Sequence, residues 1–180
     1  ARIIKPLKNK PLLHIDAVQA LGKIPIDVKK LNVDLLSVSG HKIHGPKGIG
    51  ALYVKKGVKI NPLFYGGTQE NGLRAGTENV HGIAGMGVAV QLALKDLNTN
   101  TQKFKQLKEQ FLSLLAKEIK GIKINSPQTE NFAPHILNIS FYGVKGEVLL
   151  HALEEDGIYV STGSACTSKK KSYSHVLKAM

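Results

Sequence analysis

The sequence predicts an α/β fold: a mainly parallel sheet with covered faces, followed by a small α+β domain. Three observations predict it. Short apolar runs, "PLLHID", "VDLLSVSG" and "GIGALYVKK", end in polar residues or follow glycines, as buried strands do. Polar-edged segments with partial helical spacing separate or follow them. After Gly121 the pattern changes to short apolar runs around one helical stretch. Apolar residues make up 42% of the 180, enough for a core and too many for a disordered chain.

Taken in order, "ARIIKPL" reads as the end of a helix, and "PLLHID" as a strand ending in Asp16. "AVQALGKIPIDVKKLN" is partly helical. "VDLLSVSG" is a second strand ending near Ser39, and "GIGALYVKK" a third, with Gly48 and Gly50 marking a close approach before it. "NPLFYGGTQENGLRAGTENV" has no period, and a loop of that length inside a domain is often functional. A helix then runs from Asn79-Val80 to about Leu97. Its small residues (Gly82, Ala84, Gly85, Gly87, Ala89) permit close packing. The next helix, "TQKFKQLKEQFLSLLAKEIK", places Phe104, Leu107, Phe111, Leu114 and Leu115 on one face. "IKIN" and "HILNISF" read as strands, "GEVLLHALEEDG" as a helix stopped by Gly157, "IYV" as a short strand, and "STGSACTSKKK" as a small-residue loop. The division is a first domain over 1–96 and a second over 97–180. Both ends read as cuts through structure, so the chain reads as a fragment.

Net charge is +12, from 25 Lys+Arg against 13 Asp+Glu. The cations are scattered apart from Lys169-Lys170-Lys171, and only five Tyr and five Phe are available for stacking. A lysine-rich surface explains this better than direct nucleic-acid binding. No apolar run reaches the roughly 18 residues of a membrane helix, and no signal peptide is visible. The single cysteine, Cys166, excludes an internal disulfide, fits a reducing cytoplasm and makes a catalytic thiol worth considering.

The stretch "SVSGHKIHGPKGIG" sets Lys42 between His41 and His44 in a glycine-rich turn. A lysine in such a turn first suggests phosphate binding, but no "GxxxxGK[ST]" exists. "GPKGIG" lacks dinucleotide spacing and precedes a strand rather than a helix. No His or Cys spacing fits a metal site. A different pairing stands out: Asp16 closes one strand, and Lys42 follows another 26 positions later. In α/β sheets, ligands collect beyond the carboxyl ends of strands. A carboxylate can hold a pyridine nitrogen protonated, and a lysine amine can form a Schiff base. Together they suit pyridoxal 5'-phosphate (PLP). Ser39 and His41 could donate to its phosphate, and Gln19 could reach its ring hydroxyl. Asp16 also suits capping of the "AVQAL" segment. His44 reads as loop support, and His14, His135 and His151 as packing or surface groups.

"HIDAVQALGKIPID", "SGHKIHGPKGIGALYV", "GGTQENGLRAGTENV", "APHILNISF" and "STGSACTS" together resemble the cysteine desulfurases, PLP enzymes of the class V aminotransferase family. The likeness runs in order from Ala1 to Met180, and "GSAC" points to the type with a long, mobile cysteine loop. The resemblance implies part of a PLP fold-type I large domain followed by a small C-terminal domain. It implies Lys42 as the residue that carries PLP and later moves the α-proton, and Asp16 as partner of the pyridinium nitrogen. Gln19 would bind the phenolic oxygen, and Ser39 and His41 the phosphate. Thr77 would reach the phosphate of the other subunit's cofactor, since the resemblance implies a homodimer. Cys166 would be the nucleophile that takes sulfur from L-cysteine, leaving alanine and a persulfide. The sulfur would pass to an acceptor protein, an iron–sulfur scaffold or a tRNA-thiolation enzyme.

Family members are roughly twice this length by resemblance. Their front half supplies a Gly-Ser/Thr phosphate loop, a histidine stacking on the ring and an asparagine near its oxygen. A later segment supplies an arginine for the substrate carboxylate. The isolated chain is therefore expected to be inactive. Two rival readings are a selenocysteine lyase or related β-eliminating enzyme, and a non-catalytic dimerisation or interaction fragment.

Overall fold

The computed structural model describes residues 1–127, 129, 132–163 and 174–179. Two compact units divide the chain, Ala1–Phe104 and Lys105–Met180.

The first unit is built on a three-stranded sheet in the order β1 (His14–Asp16), β2 (Leu35–Ser39), β3 (Gly50–Val54). β1 and β2 run parallel, with Asp16 opposite Ser37. β2 and β3 run antiparallel, with Ser39 opposite Gly50. Connection length decides the difference. The segment between β1 and β2 has room for a crossover containing helix α1 (Val28–Leu31), whereas the turn between β2 and β3 is too short for one. Asp27 caps α1 by accepting from the amides of Lys29 and Lys30 at 2.9 and 3.0 Å. Before it, residues 17–24 form successive turns rather than a helix, with the Ala20 and Leu21 amides bonded to the Ala17 carbonyl.

Side-chain alternation separates the sheet's faces. Ala17, Val33 and Leu36 are buried together, and Ile15, Val38 and Tyr53 pack against them. The opposite face therefore carries His14 and Asp16 on β1 and Ser37 and Ser39 on β2. Polar groups are thus collected on one side of a sheet whose other side is the core.

Asp34 pins the end of the sheet away from that polar turn. It is buried, at 4% exposure. Its carboxylate accepts from the Leu13 amide at 2.8 Å and from Lys5, and Lys55 lies 4.0 Å away. Its backbone bonds Leu13 and Lys55 as well. One residue therefore ties the approach to β1, the start of β2 and the exit from β3. The N-terminal residues form a turn, not a helix end, and Lys5 from that turn completes the cluster. The Leu13 amide, then Lys5, holds the Asp34 carboxyl below its ordinary value of 3.8. A depressed native value means the stabilisation is full above the unfolded value and is lost as pH falls through the native one. We expect thermal stability to decline on acidification below about pH 3.8. Asp34→Asn should be less stable than wild type at neutral pH, with a deficit that narrows in acid. Melting curves across that range check both.

Helix α2 (Val80–Lys95) begins at Asn79, whose side chain accepts from the Gly82 amide at 3.0 Å, and ends at Asp96. Its small residues serve packing. A Cβ on Gly85 would lie 2.6 Å from Pro46 Cγ, and one on Gly45 would lie 3.2 Å from Ala89 Cβ. The helix therefore rests directly on the turn after β2, with Ile43 (4% exposed) buried there.

Helix α3 (Leu97–Glu118) follows after Asp96. Only part of the predicted stripe is covered. Leu115 is buried and Phe104 half-buried, together with Lys108 and Leu112, while Leu107, Phe111 and Leu114 remain about half exposed. Helical spacing identifies an apolar face but not which part of it finds a partner.

In the second unit, β4 (Ile122–Ile124) pairs antiparallel with β5 (Ile139–Phe141). The strand expected over "HILNISF" is only its last three residues. Asn125 bridges the pair through Asn138 and Ser140 at 2.7 and 2.8 Å. Helix α4 (Gly146–Glu155) stops before Gly157, whose φ of 73° suits glycine. "IYV" forms no strand, since no described segment pairs with it. Helix α5 covers His175–Ala179. Among the described residues no helix is long and apolar enough to cross a membrane.

Candidate active site at the strand ends

β1 and β2 point their carboxyl ends the same way, so the residues just past each strand are gathered at one edge. The Ala17 amide bonds the Ser37 carbonyl at 2.9 Å and carries the pairing one residue past Asp16. Asp16 is exposed there. Its Oδ1 accepts from the Val18 amide at 2.9 Å, which fixes the side chain at the start of the turn.

Past β2, Gly40–Ile43 form one turn of 3-10 helix. Ser39 Oγ and His41 Nδ1 are 2.8 Å apart, so hydroxyl and imidazole make one polar unit at its start. The Gly40 amide bonds the Ile49 carbonyl, and the Gly45 amide bonds the Gly40 carbonyl, both at 2.9 Å. His44 ends the turn in the left-handed region at φ 64°, a conformation that non-glycine residues seldom adopt. Its contribution is to the backbone of the turn. Ile43 anchors the turn beneath, which leaves Lys42 half-buried on it. Among the described residues, Lys42 Nζ has no hydrogen bond and no ion pair.

The structure thus brings Asp16, Ser39, His41 and Lys42 to one sheet edge. Gln19 lies exposed in the turn directly after Asp16. Thr77 lies on the loop entering α2, exposed and bonded to none of these residues. That loop is held by the Gly76 amide donating to Gln69 Oε1 at 3.2 Å. Cys166 and Lys169-Lys170-Lys171 fall outside the described residues.

His14, expected to be a packing or surface group, is exposed, and it also bonds Ser37 across the β1–β2 pair, Nε2 to Oγ at 2.6 Å, a contact the sequence reading did not anticipate. The available signal was the alternation in "HID", which puts His14 on the same face as Asp16.

The aminotransferase class-V family model matches residues 1–179. The chain belongs to the class-V aminotransferase family. A cysteine desulfurase IscS of Dictyoglomus turgidum is 49% identical over 167 residues, covering 93% of this chain and 42% of that protein. One from Methanosarcina thermophila is 49% identical over 172 residues, covering 96% and 42%. A solved NifS-like protein superposes with a TM-score of 0.81 at 44% identity, covering 89% of this chain and 43% of the other. The NifS-like protein of Rickettsia africae gives 0.76 at 35% identity, covering 85% and 42%. The chain therefore spans 42% of the length of these curated relatives.

Class-V aminotransferases are PLP-dependent, and the donor set at the strand ends fits that cofactor. A carboxylate with one oxygen held by Val18 suits the pyridinium nitrogen. An amine without a competing partner among the described residues suits the aldehyde, and a hydroxyl–imidazole unit at a turn suits a phosphate.

Proposed function

We propose that the full-length protein is a cysteine desulfurase that removes sulfur from L-cysteine, giving L-alanine and a persulfide on Cys166. The observation that carries this reading is the Lys42 amine, without a partner among the described residues, at the strand edge it shares with Asp16, in a chain 49% identical to curated cysteine desulfurases. Asp16 would hold the PLP ring nitrogen, Gln19 its phenolic oxygen, Ser39 and His41 its phosphate, and Lys42 its aldehyde. When bound, the cofactor supplies an electron sink at the substrate's α-carbon.

Lys42 then serves as general base for the α-proton. The Cys166 thiolate attacks the substrate sulfur. The new S–S bond forms as the C–S bond breaks, the C–S electron pair stays with carbon, and that carbon takes a proton to become alanine. Thr77, exposed on its loop, is assigned to the cofactor of a second subunit in a homodimer. Residues 1–96 are read as part of the large PLP-binding domain, and 97–180 as the small domain carrying the cysteine loop. Delivery of sulfur to an iron–sulfur scaffold or tRNA-thiolation enzyme in the cytoplasm completes the reading.

The test uses full-length protein supplied with L-cysteine or L-selenocysteine. Cys166→Ala is expected to abolish persulfide and reduce alanine formation to background. Selenium release that survives the substitution would instead identify a lyase. A wild-type protein that takes up no PLP would leave only an interaction role. The isolated 180-residue chain should turn over L-cysteine far more slowly than the full-length protein, because more than half the length of its relatives lies outside the match. Alanine release at equal molar concentration measures this.

A further inference from the structure

Two serines on β2 face the same way, and each hydroxyl is joined to an imidazole. Ser39 meets His41, which follows it in sequence. Ser37 meets His14, which comes from the neighbouring strand. The second pair has no place in the roles assigned above, yet its two residues are the sheet neighbours of Asp16 on the same face. Ser37 is the register partner of Asp16, and His14 precedes Asp16 by two residues on the same face. Strand geometry puts such i and i+2 side chains about 7 Å apart, within reach of an imidazole and a carboxyl that lean toward each other.

We infer that the His14–Ser37 bridge is a positioning device for Asp16. A short carboxylate side chain has three staggered choices at χ1. The bridged imidazole, two residues back on the same face, and the hydroxyl at the register position flank Asp16. The carboxylate is left leaning forward past the strand end, where Oδ1 takes the Val18 amide and Oδ2 is left for the ligand. Pre-setting the rotamer removes an ordering cost when the ligand binds. Both bridge partners are small, polar and in mutual contact at 2.6 Å, so neither substitutes for the other. Either ring tautomer satisfies the contact, with the imidazole donating or the hydroxyl donating. His14→Gln keeps an amide that can take either role, whereas His14→Ala leaves a gap into which Asp16 can turn.

The inference rests on the reading of Asp16 as the PLP partner, and its experiment separates the two. PLP affinity is measured on full-length apoprotein for wild type, His14→Ala, Ser37→Ala, the double variant and His14→Gln, each also on an Asp16→Ala background. We expect each alanine variant to weaken PLP binding about tenfold, the double variant to be no worse than either single, and His14→Gln to restore affinity. On the Asp16→Ala background none of them should have a further effect, because interacting residues lose additivity when their shared target is removed. In the apoprotein, the Val18 amide resonance should move in both alanine variants and return in His14→Gln. If wild type binds PLP and the variants bind it equally well, or weaken it equally on both backgrounds, the positioning role is wrong and the bridge is only structural. If wild type binds no PLP, the functional reading fails and this inference falls with it. A Val18 amide that does not respond refutes the positioning role regardless of the cofactor.

Discussion

Lys42→Ala in the full-length protein is expected to abolish covalent capture of PLP and to lower alanine formation by at least about 10^2–10^4-fold, the range typical of a lost general base. The proposed function puts two separate jobs on one amine, so the expected loss exceeds that at any proposed binding residue nearby. Asp16, Ser39 and His41 would each supply one contact among several. On the proposed reading, Lys42 alone would supply both the nitrogen that bonds the aldehyde and the base that takes the α-proton. Its setting supports this: it is half-buried on a turn anchored by Ile43, with no carboxylate paired to it among the described residues. The informative companion is Lys42→Arg. A guanidinium keeps the positive charge and most of the reach, but it remains protonated and cannot serve as a base. If the site needs only a cation, arginine rescues; if it needs an amine, arginine fails as alanine does. Near-visible absorbance of the loaded protein and steady-state alanine release are the measurements. An alanine variant retaining more than about a tenth of the wild-type rate would remove Lys42 from the chemistry.

The candidate site was more legible in the sequence than the sheet that holds it. Asp16, Ser39, His41 and Lys42 stand at the ends of apolar runs, and a run's end is a local property visible in one dimension. Pairing is not local. The antiparallel return of β3 beside β2 is set by the length of the turn between them, whereas "IYV" pairs with no strand among the described residues. Propensity marks a segment that fits a pleated surface without supplying the neighbour. The same limit hid His14 and Asp34. A lone histidine gives no sign of the serine 23 residues on that it meets across the strands. A lone aspartate gives no sign that Leu13, Lys5 and Lys55 converge on it.

Gly50→Ala carries the second large effect, and its sign is what makes it decisive. Gly50 is the β3 residue that pairs with Ser39, at the very end of β2. Its φ is not among the positive ones, so alanine can adopt the backbone conformation. On chain entropy alone the substitution should stabilise the protein by about 0.4–1 kcal/mol. Geometry opposes it. A Cβ there would sit 2.6 Å from the Val38 carbonyl oxygen, a backbone atom of the adjacent strand with no rotamer to change. Relief requires the two strands to part at this end, and overpacking of that kind costs about 1–3 kcal/mol. The clash therefore outweighs the entropy gain, and Gly50→Ala should be destabilised. The damage should also reach the site. Val38 immediately precedes Ser39, and the Gly40–Ile49 hydrogen bond that closes the Lys42 turn lies one residue away on each strand. Separating the strands would displace the Ser39–His41 unit from the proposed phosphate position while leaving Asp16, on the far side of β2, in place. The expected variant melts earlier and binds PLP more weakly, and added inorganic phosphate competes less effectively for its site. A Gly50→Ala protein that melts later than wild type would mean that β2 and β3 are not so closely apposed beside the Lys42 turn.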